Sequence, residues 1–172
     1  KALLAMRGEE GTEVEILVLR EGTDGAERLE MKLTRKKLTT HSVRSEVLKS
    51  DSTVGIVHIT GFDMTTPTQF KENVNSLKAK GVTHFVFDVR NNPGGDLQSI
   101  TAVLSYFLDE GDMVINAIDK DENVVATYSV REVAMAGNYA GCSVTKDEIG
   151  MYKGLDFAVL CNENTASAAE VF

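Results

Sequence analysis

The chain has 172 residues, of which 42% are apolar and 26% are charged, so it has the composition of a folded globular protein and not of a disordered segment. Its formal net charge of -8 argues against nucleic acid as a partner, because binding to phosphates requires clustered Lys and Arg. No apolar run approaches the length of a membrane span, and Lys1–Met6 is too short and wrongly flanked for a signal peptide. We therefore expect the chain to begin inside a longer protein.

The residues that commonly bind metals do not have the spacing of a metal site. Cys142 and Cys161 are the only two cysteines, and their separation fits neither a zinc motif nor a disulfide framework. The histidines, His41, His58 and His84, also lack ligand spacing. We expect neither a metal nor a cofactor.

The first part of the chain predicts a β-hairpin. Apolar and polar residues alternate along Glu13–Arg20 and Arg28–Thr34, and the turn-forming segment Glu21–Gly25 separates them. Alternation places successive side chains on opposite faces of a strand. A hairpin and a helix end, predicted over Lys1–Met6, cannot form a core by themselves.

The rest of the chain alternates between predicted strands and helices. Strands are predicted over Val54–Ile59 and Thr83–Val89. A helix follows the first strand, with Thr66 as its N-cap and Pro67 at its first position, and a second helix begins at Asp96. Such alternation is typical of an α/β fold.

The last third of the chain has a less regular pattern. Met113–Ile118 and Val124–Val130 predict a second hairpin, and the glycine-dotted segment Arg131–Gly154 is interpreted as a loop-rich insertion that flanks the cleft. Leu155–Cys161 is short and almost continuously apolar, which is typical of a strand buried on both faces.

The segment after that strand changes into a helix start with very little side-chain bulk. Thr165–Ala169 contains only Thr, Ala and Ser, so backbone N–H groups of the first helical turn can approach a reacting carbonyl closely, with the helix dipole behind them. Ser167 is therefore a candidate nucleophile. The alternative is an ordinary N-cap serine, but Phe85–Leu97 repeats the design of buried strand, tight turn and helix start, which favours the catalytic interpretation.

These segments carry a resemblance to a known family. Asp-Val-Arg-Asn-Asn-Pro-Gly-Gly at residues 88–95, followed by Thr-Ala-Ser-Ala-Ala-Glu at residues 165–170, resembles the carboxyl-terminal processing peptidases, also called tail-specific proteases. Residues 6–20 are similar to the end of the PDZ domain that precedes their catalytic core. The resemblance implies an α/β, ClpP/crotonase-like core over residues 37–172, preceded over residues 1–36 by the C-terminal part of a PDZ-like β-hairpin domain.

The resemblance also implies roles for individual residues. Ser167 falls on the serine nucleophile. Ala168 matches the residue whose backbone N–H helps to form the oxyanion hole, and Gly94 and Gly95 match the turn that supplies the other donor. Glu170 matches a glutamate that we interpret as supporting the start of the helix.

The general base of the family falls outside these residues. It is a lysine further along the chain than Phe172, and Lys153 does not match it. A Ser-His arrangement with His58 or His84 is the alternative source of a base. Asp88 is expected to orient the glycine turn, and the two asparagines that follow are interpreted as turn formers and not as catalysts.

Three classes of function remain open from the sequence. The first is a serine endopeptidase with a Ser/Lys dyad that acts near the C-termini of protein or peptide substrates, outside the cytoplasm (periplasmic, secreted or membrane-tethered), as the resemblance implies. The second is a non-catalytic peptide-binding or scaffold relative. The third is an acyl-CoA enzyme of the crotonase type, which would not need a serine in this turn.

Overall fold

The computed structural model describes residues 5–22, 25–36 and 41–172. The chain divides into two compact units, residues 1–40 and residues 41–172. The assignment of residues 1–36 to a PDZ domain and of residues 37–172 to a peptidase core stays a prediction. Of the predicted helix end, residues 1–4 lie outside the described residues, and residues 5 and 6 are helical.

The first unit is built on the predicted hairpin, which is confirmed. Strands β1 (Glu13–Gly22) and β2 (Gly25–Thr34) pair antiparallel along their whole length. Just after β2, Arg35 donates hydrogen bonds to the Thr12 hydroxyl (2.8 Å) and to the Met6 carbonyl (3.0 Å). One guanidinium therefore links the helix end to the hairpin, because its fork of donors can reach several acceptors at once.

The second unit is a mixed α/β structure around a four-stranded sheet. Its strands lie in the order β3 (Val43–Val47), β4 (Val54–Ile59), β5 (His84–Asp88) and β8 (Asp156–Leu160). β3 pairs antiparallel with β4, and the other neighbours are parallel. No helix among the described residues is long and apolar enough to cross a membrane. The elements are β3 (Val43–Val47), β4 (Val54–Ile59), α1 (Thr66–Ala79), β5 (His84–Asp88), α2 (Leu97–Ser105), β6 (Met113–Ile118), β7 (Val124–Ser129), β8 (Asp156–Leu160) and α3 (Ala168–Val171), with 3₁₀ turns at Gly137–Cys142 and Lys146–Glu148.

The core of this unit lies between one face of the sheet and the helices. Phe85 and Phe87 of β5 are buried on that face, and the Phe70 ring of α1 lies 5.2 Å from the Phe87 ring. Ile100 of α2 is buried in the same cluster. Because β5 and β8 are parallel, their carboxyl ends lie on the same side of the sheet, and the segments that follow both strands begin there. Ligands bind at the carboxyl ends of the strands in open α/β sheets.

The prediction that the last strand, β8, is buried on both faces is wrong. Every residue of β8 is exposed, including Phe157 at 43%. Among the described residues β8 pairs only with β5 and forms the edge of the sheet. An apolar run indicates a strand, but its burial depends on which neighbours it has.

The start of α1 also differs from the prediction, by one residue. Thr65 is the N-cap and Thr66 is the first helical residue. The Gln69 side chain donates to the Thr65 hydroxyl (2.7 Å), while the Thr66 hydroxyl accepts from the Asp63 N–H (2.8 Å). Two adjacent threonines both offer a capping oxygen, so the sequence could not distinguish them.

Candidate active site

Ser167 lies at the sharp turn between β8 and α3. It is exposed, and its backbone has φ 55° and ψ -125°, a conformation that costs a residue other than glycine roughly 1–3 kcal/mol. Its N–H donates to a Glu170 carboxylate oxygen at 2.7 Å. The turn therefore leaves Ser167 exposed directly before a helix start.

The two glycines after β5 are needed for close backbone packing. Gly94 has φ 96°, and a Cβ there would lie 2.7 Å from the Ser167 Cβ and 2.8 Å from the Ala168 nitrogen. Gly95 has φ 146°, and a Cβ there would lie 2.0 Å from the Phe62 carbonyl oxygen. An alanine at position 95 would therefore displace the turn as well as alter a donor.

The backbone donors of the two turns are not equally available. The Gly94 N–H donates to the Asn92 side-chain oxygen at 2.9 Å. Among the described residues, neither the Gly95 N–H nor the Ala168 N–H donates a hydrogen bond. Each of the two turns therefore carries one unpaired donor, and two donors are the number that a typical oxyanion hole uses.

Asn92 holds the glycine turn against the serine turn. Its side chain is buried, and its Nδ2 donates to the Ile59 carbonyl at 2.9 Å while its Oδ1 accepts from Gly94. Its own carbonyl accepts from the Ala166 N–H at 3.0 Å. Asn92 lies at the predicted turn, but the sequence did not indicate that it also binds the distant residues Ile59 and Ala166.

A second set of asparagines joins the same two turns at the surface. The Asn91 side-chain oxygen accepts from the side-chain amides of Asn162 (3.0 Å) and Asn164 (2.9 Å). The Thr165 hydroxyl donates to the Val89 carbonyl at 2.9 Å. The density of Asn in both segments was the only signal of this network in the sequence.

Asp88 is part of an ion-pair network at the end of β5. Its carboxylate accepts from Arg90 Nε (2.9 Å) and Nη2 (2.7 Å) and lies 3.1 Å from His58 Nδ1. The hydrogen bonds from Arg90 lower the pKa of Asp88 to about 2, against the opposing effect of burial. Asp88 therefore fixes the chain that enters the glycine turn and does not contact Ser167 itself.

The two candidate histidines, and Lys153, have other partners. His58 lies between Asp88 and Glu46, and His84 is 2.7 Å from Asp156. Lys153 pairs with a carboxylate of the loop after α2. Within the described ranges no lysine or histidine hydrogen-bonds Ser167, and no group of three or more His, Cys, Asp or Glu is placed to hold a metal ion.

A strained turn between a strand and a helix start is a geometry in which hydrolases can present a nucleophile, so Ser167 stays the candidate nucleophile. Residues 53–172 match the family model of peptidase family S41, and the chain belongs to that family.

The chain spans only about a third of the length of the relatives that it matches. The chain is 30% identical over 167 residues to a probable CtpA-like serine protease of Staphylococcus aureus. It is 28% identical over 171 residues to the carboxy-terminal processing protease CtpA of Bacillus subtilis. These matches cover 97% and 99% of this chain but only 29% and 32% of the relatives.

A solved structure has the same fold. The photosystem II D1 C-terminal processing protease matches with a TM-score of 0.54 and 24% identity, over 95% of this chain and 40% of that chain. The predicted α/β core of the ClpP/crotonase type is thereby confirmed. The PDZ assignment of residues 1–36 stays a prediction.

The strain at Ser167 predicts an unusual order of stabilities. Ser167→Gly is expected to be more stable than Ser167→Ala by about 1 kcal/mol, because glycine adopts positive φ without strain and both variants lack the hydroxyl. Urea-induced unfolding measures the difference. Ser143 has φ -66°, so there the order should reverse. An alanine variant at position 167 as stable as the glycine variant would contradict the strain.

The ion pair of Asp88 predicts a pH-dependent contribution to stability. The pKa of Asp88 is about 2 in the folded protein and 3.8 without the fold, so the paired carboxylate stabilises the folded state by roughly 2 kcal/mol above the higher value. That contribution should be lost as the pH falls through 3.8 to about 2. The difference in unfolding free energy between the wild type and Asp88→Asn should therefore be largest at neutral pH and decrease as the pH falls through this range.

The matched control for this titration is Asp121→Asn. The Asp121 carboxylate is exposed, and among the described residues it pairs only with the neighbouring Lys120, so this variant should match the wild type at every pH. An Asp88→Asn difference that stays constant between neutral and acid pH would contradict the assignment.

Proposed function

We propose that the full-length protein is a serine endopeptidase that cleaves protein substrates near their C-termini, with Ser167 as the nucleophile and a lysine as the general base. The observation that carries the proposal is the strained, exposed Ser167, together with the N–H groups of Gly95 and Ala168, which donate no hydrogen bond among the described residues. The names of the relatives from Staphylococcus aureus and Bacillus subtilis support the reaction class and, for the second, the C-terminal site of action.

The proposed reaction begins with attack of the Ser167 hydroxyl oxygen on the carbonyl carbon of a peptide bond. The base takes the hydroxyl proton, and the N–H groups of Gly95 and Ala168 bind the oxyanion that forms. Each such donor typically accounts for roughly a hundredfold to a thousandfold of turnover. The proton then passes to the leaving amine, and water hydrolyses the acyl-enzyme.

The proposed base is a lysine from outside residues 1–172, as the family resemblance implies. A serine hydroxyl is a weak nucleophile unless a base accepts its proton, and a lysine can do so only when burial lowers its pKa enough to leave it uncharged. The candidate bases within the described residues are already engaged with carboxylates.

Two carboxylates have positioning roles in this proposal. Glu170 accepts the Ser167 N–H at 2.7 Å, which holds the serine turn against the start of α3. Asp88 holds Arg90 at the entry to the glycine turn. Neither is a proton carrier in the reaction.

The second candidate is a non-catalytic peptide-binding relative. It is favoured by one observation, that within the described part of the chain no base hydrogen-bonds Ser167.

Under the leading proposal, the protein works outside the cytoplasm, in the periplasm, secreted or tethered to a membrane, as the resemblance implies.

Reaction with a fluorophosphonate separates the two candidates. The full-length protein is expected to be labelled at Ser167 and to cleave casein, because an activated serine attacks both reagents. Ser167→Ala should abolish labelling and cleavage, and Ser143→Ala, which changes a serine of a 3₁₀ turn end, should leave labelling intact. A folded full-length protein that is not labelled would establish the non-catalytic candidate instead.

A further inference from the structure

A polar pocket lies on the face of the sheet that points away from the helices. Arg44 of β3, His58 of β4 and Asp88 of β5 are register partners in one row across the sheet, and all three line the pocket. The neighbouring Phe87 is buried on the helix side, and successive side chains of a strand lie on opposite faces. The volume of this space, which we call the Arg44 pocket, is about 380 Å³, enough for a small ligand.

The carboxylate in the wall of the Arg44 pocket already has all the donors that it can use. Asp88 Oδ1 accepts from the Arg90 N–H (3.1 Å) and Nε (2.9 Å). Its Oδ2 accepts from Arg90 Nη2 (2.7 Å) and lies 3.1 Å from His58 Nδ1. A carboxylate has about four acceptor sites, so Asp88 needs no further cation or donor from a ligand.

Other acceptors in the wall are engaged as well. The Ile59 carbonyl accepts from the Asn92 side chain at 2.9 Å, and the Asn162 side-chain oxygen accepts from the Asn91 N–H at 2.9 Å. The Thr60 hydroxyl donates its proton to a backbone carbonyl at 3.2 Å. A ligand that mainly donates hydrogen bonds would therefore find few partners here.

The side-chain groups that are left over are donors. Within the described part of the chain, the exposed Arg44 guanidinium makes no ion pair and no hydrogen bond. In the same part of the chain, Arg90 Nη1 and Asn91 Nδ2 donate no hydrogen bond either. Unpaired donors from three separate positions that line one pocket suit an anion, because an anion accepts hydrogen bonds and donates none.

The charges around the pocket select the kind of anion. Arg44 and Arg90 bring two positive charges against the one negative charge of Asp88, and the Glu46 carboxylate, 3.4 Å from His58 Nε2, lies close by. A phosphate carries roughly 1.5 to 2 negative charges at neutral pH, which is more than this surplus balances. A carboxylate carries one charge, and its two oxygens match the planar fork of a guanidinium.

We propose that the Arg44 pocket binds a carboxylate, held by the guanidinium groups of Arg44 and Arg90 and by the Asn91 amide. Such a carboxylate can come from the end of a peptide chain or from an acidic side chain. It would lie against the asparagine network that joins the glycine turn to the serine turn, because Asn91 belongs to that network. The site goes beyond the proposed reaction, since no step of that reaction uses Arg44 or Asn91.

Protection of Arg44 from phenylglyoxal tests the site without relying on catalysis. This reagent modifies accessible guanidinium groups, and mass spectrometry of the full-length protein follows each arginine separately. N-acetylalanine carries a chain-end carboxylate and the α-amide of N-acetylglutamate carries a side-chain carboxylate. A ligand that binds should slow modification of Arg44 roughly tenfold at ten times its dissociation constant, and uncharged N-acetylalanine amide should not. Arg28, an exposed residue of β2, is the internal control and should react at an unchanged rate.

Asn91→Asp is the variant that changes the free donor and keeps the surrounding network. An aspartate still offers an oxygen to the amides of Asn162 and Asn164, and it tolerates the φ of 60° at this position. The lost donor and the added negative charge should abolish the protection of Arg44. The matched control is Asn116→Asp on β6, which keeps the acceptor for the Thr127 hydroxyl and should leave the protection intact.

Protection by the chain-end carboxylate, the side-chain carboxylate or both supports the site and identifies the source. Protection by neither, or equal protection by the uncharged amide, would overturn it. Unchanged protection in a folded Asn91→Asp protein would do the same, and the ligand series on the wild type decides if that variant does not fold. Stronger protection by inorganic phosphate would overturn the choice of a carboxylate. Because no readout uses peptidase activity, failure here leaves the proposed function untouched.

Discussion

The buried side chain of Asn92 is the constraint on which the rest of the site depends. It donates to the end of β4, accepts from the glycine turn, and its carbonyl receives the N–H of Ala166. Each bond contributes about 1 kcal/mol net, but loss of one partner inside the protein would cost about 1–3 kcal/mol because the other would be left unsatisfied. The two turns are therefore fixed to the sheet and to each other, and Ser167 is held at a defined place beside Gly95.

This constraint also explains which glycine is free to act as a donor. Asn92 occupies the Gly94 N–H, and Gly94 instead provides the space in which the Ser167 and Ala168 backbone can approach. The Phe62 backbone packs against Gly95. The Phe62 N–H donates to the Gly94 carbonyl, and the Asp96 N–H donates to the Phe62 carbonyl. The Gly95 N–H donates no hydrogen bond within the described part of the chain. Under the proposed function, the fixed backbone would keep this donor ready for the oxyanion without reorganisation.

The elements themselves could be predicted from local pattern. The strand Val54–Ile59 and the strand Met113–Ile118 have the predicted bounds, because alternation, glycine and proline are local signals. The same local reasoning identified Ser167 and the glycine turn as two strand-to-helix turns with little side-chain bulk. The family resemblance then assigned both turns to one site.

What could not be predicted is what depends on contacts between distant residues. The exposure of β8 depends on which elements cover its faces, and the close approach at Gly95 depends on Phe62, a distant residue. No local pattern encodes either. The segment Arg131–Gly154 gave no period, yet it supplies Met135 and Tyr139 to an open groove that Gly95 also lines. Such residues are found only when the fold brings them together.

The central claim is that Ser167 attacks while Gly95 and Ala168 bind the oxyanion, and a crystal structure of the full-length protein after reaction with a fluorophosphonate tests it most directly. The account predicts phosphorus bonded to the Ser167 hydroxyl oxygen and a phosphonyl oxygen about 2.7–3.1 Å from the backbone nitrogens of Gly95 and Ala168. An adduct on another residue, or a phosphonyl oxygen that contacts neither nitrogen, would contradict it.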